Sequence, residues 1–164
     1  SNRTGRQFTG DASGDFLYTA LHRAGFASQP ESFSRGDGLV LTDLYTAPVC
    51  RCVPPDNKPT SEEIANCRPY LETEISLLQP HVFVALGRIA FDAILTMIRQ
   101  PGGKGTSKGR PEGFVFTHGA CYQMGPNQWL VASYHPSRQN TQTGRLTTSM
   151  FDDLWSSVRQ VLEG

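Results

Sequence analysis

Val82-Phe83-Val84-Ala85-Leu86 is an unbroken apolar run closed by Gly87. A short run without polar alternation reads as a strand buried on both faces, and such strands belong to parallel sheets. Parallel neighbours need crossover connections, most often helices, which restricts the chain to α/β architectures. The flanking sequence agrees. Ile89 to Arg99 follows the glycine turn as a helix. Thr60-Ser61-Glu62-Glu63 is a capping box that starts another helix ahead of the run. Pro69 should kink or restart that helix near Cys67, after which it runs to about Leu78 on Tyr70, Leu71, Ile75 and Leu78. Asp15 to Ala24 carries Phe16, Leu17, Leu21 and Ala24 on one face, with Gly25 as its stop. The last helix begins at Thr147 or Thr148 and presents Met150, Phe151, Leu154, Trp155, Val158, Val161 and Leu162. Further strands are expected within Leu39–Val49, where Pro48 ends regular pairing, at Phe114–Thr117 and at Val131–Tyr134.

The chain has 164 residues, enough for one domain with a real core. No apolar run is long enough to span a bilayer, and the first residues are polar with no apolar leader, so a cytoplasmic protein is expected. The formal net charge is zero, so composition does not announce a nucleic-acid partner. The cations nevertheless cluster in predicted loops: Arg3 with Arg6, Arg51 with Lys58, Lys104 with Lys108 and Arg110, and Arg138 with Arg145. A local positive face can bind phosphate while the total stays neutral. Solvated loops explain the same charges equally well. Cys50, Cys52, Cys67 and Cys121 in such a chain argue against a disulfide framework.

The stretch Tyr134-His135-Pro136-Ser137-Arg138-Gln139-Asn140 follows a strand, and α/β folds place chemistry at the carboxyl ends of strands. Pro136 biases His135 towards an extended conformation, so the imidazole sits on a stiff corner. An ordinary polar loop is the plainer reading. Asp11, in Phe8-Thr9-Gly10-Asp11-Ala12-Ser13-Gly14, is either a helix N-cap or a carboxylate that holds a water at the lip of a pocket. Asn57 either offers its amide to a base edge or closes an Asx turn. Phe8 is either core or an exposed stacking platform, and its polar neighbours favour the platform. Both His118 and His135 end predicted strands, and His118 is the more structural of the two. Cys52 and Cys67 flank a Pro-rich loop and the start of a helix. Thiolates so spaced either share a metal or iron–sulfur cluster or are buried free cysteines. Cys50, two residues from Cys52 on an extended segment, should point to the opposite side.

Four stretches in order, GRQFTGDASGDFL, CVPPDNKPTSEEIANC, VALGRIAF and SYHPSRQNTQTGRLT, resemble the uracil-DNA glycosylase superfamily, and most closely its iron–sulfur, type B (family five) branch. The resemblance implies a single domain over residues 1–164 with a three-layer αβα sandwich around a four-stranded, mainly parallel sheet. It implies a monomeric enzyme of the bacterial or archaeal cytosol that excises uracil and other deaminated bases from double- or single-stranded DNA. Asp11 matches the acid that positions water, and His135 the histidine that steadies the departing base. Phe8, Gly10 and Asn57 match substrate-binding positions. Ser137, Arg138, Gln139 and Asn140 are expected on the DNA. Cys52 and Cys67 match two of the four ligands of a [4Fe-4S] cluster. The family's first strand and an upstream Cys-x-x-Cys are missing ahead of Ser1, so the chain is expected to start mid-domain. Pro48 stands where uracil-strict relatives keep an asparagine, which fits relaxed specificity. The rival reading is a non-catalytic iron–sulfur or zinc DNA-binding module of the same fold.

Overall fold

The computed structural model describes residues 4–52, 56, 58–99 and 113–164. In chain order the elements are α1 (Ala12–Arg23), α2 (Ser61–Leu78), β1 (Val82–Leu86), α3 (Arg88–Arg99), β2 (Cys121–Gly125), β3 (Gln128–Ser133), α4 (Arg138–Gln142) and α5 (Thr148–Glu163). They fall into two units: Ser1–Ala47 with Tyr134–Gly164, and Pro48–Ser133.

In the first unit α1 packs on α5. Helix α1 begins where Asp11 adopts an extended backbone and its Oδ1 accepts the Gly14 N–H at 2.9 Å. It ends in a Schellman motif: the Phe26 N–H donates to Leu21 O at 2.8 Å and the Gly25 N–H to His22 O at 3.1 Å. Gly25, at φ 78, supplies the left-handed residue this stop requires. The core between the helices is aromatic. Phe16 stacks on Phe151 at 5.3 Å between centroids, and Trp155 meets both Phe151 and Phe26 edge-on at 5.7 Å. Of the expected apolar face of α5, Phe151, Leu154, Trp155 and Val158 are buried, whereas Leu162 near its C-terminal end is exposed. Arg23 closes one edge with a bidentate pair to Asp152.

The second unit holds the sheet, ordered β1-β3-β2, with β1 parallel and β2 antiparallel to β3. The described residues therefore form an α/β unit with a three-stranded mixed sheet, not the four-stranded, mainly parallel one expected. Central β3 is the strand buried on both faces, from Leu130 to Ser133, because it alone has neighbours on each side. In β1, only Phe83 and Ala85 are fully covered. Their face packs with Leu130 and Ala132 against Phe91, Ile94, Leu95 and Met97 of α3, and Leu71 and Ile75 of α2 lie against the same cluster.

Three sequence expectations fail for physical reasons. Pro69 does not restart α2, which runs uninterrupted from Ser61 to Leu78. Leu39–Val49 forms no strand; its pairing is a single antiparallel bridge between Leu41 and Ala27. Phe114–Thr117 forms none either. The alternating Phe114 and Phe116 do pack on the core, but the backbone partner is a side chain. The Tyr122 hydroxyl accepts the Val115 N–H at 3.1 Å and donates to Val115 O at 2.7 Å. The strand lies later, in β2, which turns through Pro126-Asn127 into β3.

Candidate active site

The first unit gathers Phe8, Asp11 and His135. Phe8 sits at φ 50, a left-handed conformation that bulky residues rarely adopt, and Gly10 follows at φ 89. This double reversal turns the chain sharply into α1, and it depends on Gly14. A Cβ on Gly14 would lie 1.7 Å from Phe8 O. With no side chain at Gly14, the Phe8 carbonyl rests against the first turn of the helix and the ring swings towards His135. The two rings stand 6.0 Å apart between centroids, tilted by 40°.

His135 is half-buried on the corner that the sequence suggested, and the adjacent Pro136 is completely buried. Burial lowers the imidazole pKa, and the Asp11 carboxylate partly opposes this by raising it. That opposition places the Asp11 charge within electrostatic reach of the ring. Asp11 itself is exposed. Its Oδ1 is committed to the Gly14 N–H, and Oδ2 receives no hydrogen bond from any described residue. The two readings of Asp11 are thus compatible, because one oxygen caps the helix while the other faces outward.

The loop after His135 is more ordered than its composition suggested. Ser137 caps the short α4, its Oγ accepting the Asn140 N–H at 3.3 Å. The Asn140 side-chain amide folds back and donates to His135 O at 2.9 Å. Ser137 and Asn140 therefore brace the histidine corner, while Arg138 and Gln139 remain exposed. The Ser-x-x-Asn spacing is a local cap signal that could have revealed this. Leu146, fully buried, anchors the far end of the loop, and its N–H donates to Asn140 O. Arg145 lies over the Tyr134 ring at 4.7 Å.

Asn57 lies outside the described residues. The cysteines lie in the second unit. Cys52 is exposed, Cys67 is half-buried, and the Arg51 N–H donates to Cys67 Sγ at 3.4 Å. Cys50 lies beside Cys67, next to the bend at Arg51 and Cys52. Burial raises the Cys50 thiol pKa, and the neighbouring Cys67, Glu63 and Cys52 add to the rise. An amide aimed at a thiol suits a cluster ligand, but a [4Fe-4S] cluster takes four thiolates. Among the described residues, no three His, Cys, Asp or Glu side chains are arranged to hold a metal. The described cysteines alone thus do not make a complete cluster site.

No helix among the described residues is long and apolar enough to cross a membrane. A profile of the uracil DNA glycosylase superfamily matches residues 1–159. The chain is 51% identical over 162 residues to a type-5 uracil-DNA glycosylase of Thermus thermophilus, covering 98% of this chain and 69% of that protein. It is 45% identical over 164 residues to the type-5 uracil-DNA glycosylase of Mycobacterium bovis, covering 98% of this chain but 58% of the relative. A type-4 uracil-DNA glycosylase of Pyrobaculum aerophilum is more distant, at 32% over 140 residues, 83% of this chain and 60% of its own length. Over almost its whole length, then, this chain belongs to the uracil DNA glycosylase superfamily, and within it to the type-5 branch.

Proposed function

We propose that the chain carries a DNA glycosylase that hydrolyses the N-glycosidic bond of uracil, and of other deaminated bases, in DNA. The observation that supports this most is the grouping of Phe8, Asp11 and His135. A stacking ring, an outward carboxylate oxygen and an imidazole lie within one short stretch of surface. A base inside a duplex is out of reach, so it must first be flipped out at a cost of a few kcal/mol, less at a mismatch. Phe8 is the platform on which the extruded base stacks, at the Gly10 turn. By its match to the family, Asn57 is proposed as a further substrate-binding residue.

As the glycosidic bond breaks, negative charge grows on the base and positive charge on the sugar. Burial keeps the His135 ring biased to the neutral form, which still donates one N–H to the base. A preorganised donor of this kind supplies about 3 kcal/mol of transition-state stabilisation. Asp11 Oδ2 orients water on the opposite side of the sugar, where its charge also favours the cation. Arg138 and Gln139 grip the DNA, while Ser137 and Asn140 hold the corner. By resemblance to the family, Pro48 replaces an asparagine of uracil-strict relatives, in keeping with a broad choice of damaged bases.

The substrate is proposed to be double- or single-stranded DNA and the enzyme a cytoplasmic monomer. The family's four-stranded, mainly parallel αβα sandwich is proposed for the domain. Cys52 and Cys67 are proposed as two ligands of a structural [4Fe-4S] cluster, and no step of the reaction runs through it. Single-turnover excision of uracil from duplex DNA tests the assignment. Asp11→Asn and His135→Ala should each slow it by about a hundredfold or more. Unchanged rates in both would remove the assignment. DNA bound without any abasic product would favour a binding module instead.

A further inference from the structure

Arg6 is one of the loop cations that the sequence offers to phosphate, and the structure withdraws it from that role. Its side chain is largely covered and ion-paired with Asp37 at 2.9 Å. Asp37 is saturated with donors. Oδ2 accepts Arg6 Nη1, the Phe33 N–H at 2.7 Å and the Ser34 N–H at 3.2 Å, and Oδ1 accepts the Leu39 N–H at 3.0 Å. The second Arg6 Nη1 hydrogen goes to Ser32 Oγ at 2.9 Å, and Nη2 reaches Arg35 O at 3.4 Å.

From Ser32 the contacts run on towards the site. Ser32 Oγ and Thr9 Oγ1 share a hydrogen bond of 2.6 Å. The Thr9 hydroxyl also lies within hydrogen-bonding distance of Gln7 O, at 3.1 Å. Gln7 O also accepts from the Tyr18 hydroxyl at 2.9 Å. Thr9 and Ser32 are both buried, and a charge-anchored chain of hydroxyls in such surroundings is stiffer than its separate bonds. This chain ends on the residues either side of Phe8, whose left-handed backbone persists only where neighbouring structure enforces it.

We propose that Arg6, clamped by Asp37 and linked through Ser32 to Thr9, is a positioning residue that fixes the backbone on which Phe8 and Asp11 are mounted. This rests on the assignment of Phe8 and Asp11 to the site. A lysine at position 6 cannot make the same fork of bonds, because it presents one point charge instead of a planar set of donors. Loosening the loop by even part of an ångström costs the chemical step more than binding, since only the former needs exact placement of the water and the base.

The test is single-turnover uracil excision by the full-length protein, measured over a range of enzyme concentrations for Arg6→Lys, Ser32→Ala, Asp11→Asn and wild type. Ser32→Ala leaves the Arg6–Asp37 pair in place, so it cuts the link without removing the clamp. Both positioning variants should lose about ten- to a hundredfold in maximal rate, while the half-saturating concentration moves by less than about threefold. Thr9→Ser, which keeps the hydroxyl, should retain far more of the rate than Thr9→Val. If Arg6→Lys and Ser32→Ala excise at the wild-type rate, or if rate and half-saturation weaken in step, the positioning role is wrong. If wild type itself releases no uracil, or Asp11→Asn matches it, the functional assignment fails instead.

Discussion

At the scale of single residues, Asp11 does two jobs that mutation can separate. Asparagine caps a helix as well as aspartate does, but it carries no charge. Asp11→Asn should therefore keep the stability of the protein and lose the activity. Asp11→Ala should lose the activity and also about 1 kcal/mol of stability with the cap, seen as a lower midpoint in urea. The partnership with His135 has its own signature. Burial lowers the imidazole pKa below its ordinary 6.5, so the folded protein takes up this proton less readily than the unfolded chain. Its neutral form therefore favours folding fully above pH 6.5, and that contribution is lost as pH falls from there to the lower folded value. Asp11 raises the folded value, so Asp11→Asn should move the His135 ring titration, followed by NMR, to lower pH. A titration that stays put, or moves up, would mean that the carboxylate and the ring do not sense each other.

At the scale of elements, the helices were legible because their signals are local. The Thr60 capping box forms as written, with Glu63 Oε2 accepting the Thr60 N–H at 2.7 Å and Thr60 Oγ1 accepting that of Glu63 at 3.2 Å. Gly25 stops α1, and Thr147 caps α5. Strands were less legible, since a strand exists only if another segment pairs with it. The alternation at Phe114–Thr117 was real burial without a ladder, and β2 was hidden in a sequence that burial does not mark clearly. Gly14 is the element-scale test of the site. Its missing side chain lets the Phe8 carbonyl lie against α1. Elsewhere in an exposed helix, Gly→Ala would stabilise by about 1 kcal/mol. Here Gly14→Ala should lower stability and cut excision together, as read by denaturant melting and single-turnover assay. A stabilised, active variant would contradict the close approach.

At the scale of the whole molecule, a formal charge of zero leaves DNA binding to where the cations lie. Arg138 is exposed beside the His135 corner, and Arg145 lies over Tyr134 in the same unit. If each meets one phosphate, Arg138→Ala and Arg145→Ala should each reduce the slope of log affinity against log salt by about 0.9. Arg6→Gln should leave that slope alone, because its charge is already spent on Asp37. Equal slopes in all three variants would place the DNA elsewhere. What the amino-acid order determined alone were the things set by neighbours in sequence. These are helix starts and stops, the stiff His135-Pro136 corner, the β1 run and the motifs that marked the family. Folding in three dimensions decided the rest: that Arg6 faces a carboxylate and not solvent, that Cys50 joins Cys67, and that the described strands form a mixed sheet. Each of those depends on a partner far away along the chain, and the energy of a hydrogen bond, an ion pair or a strand pairing does not exist until that partner arrives.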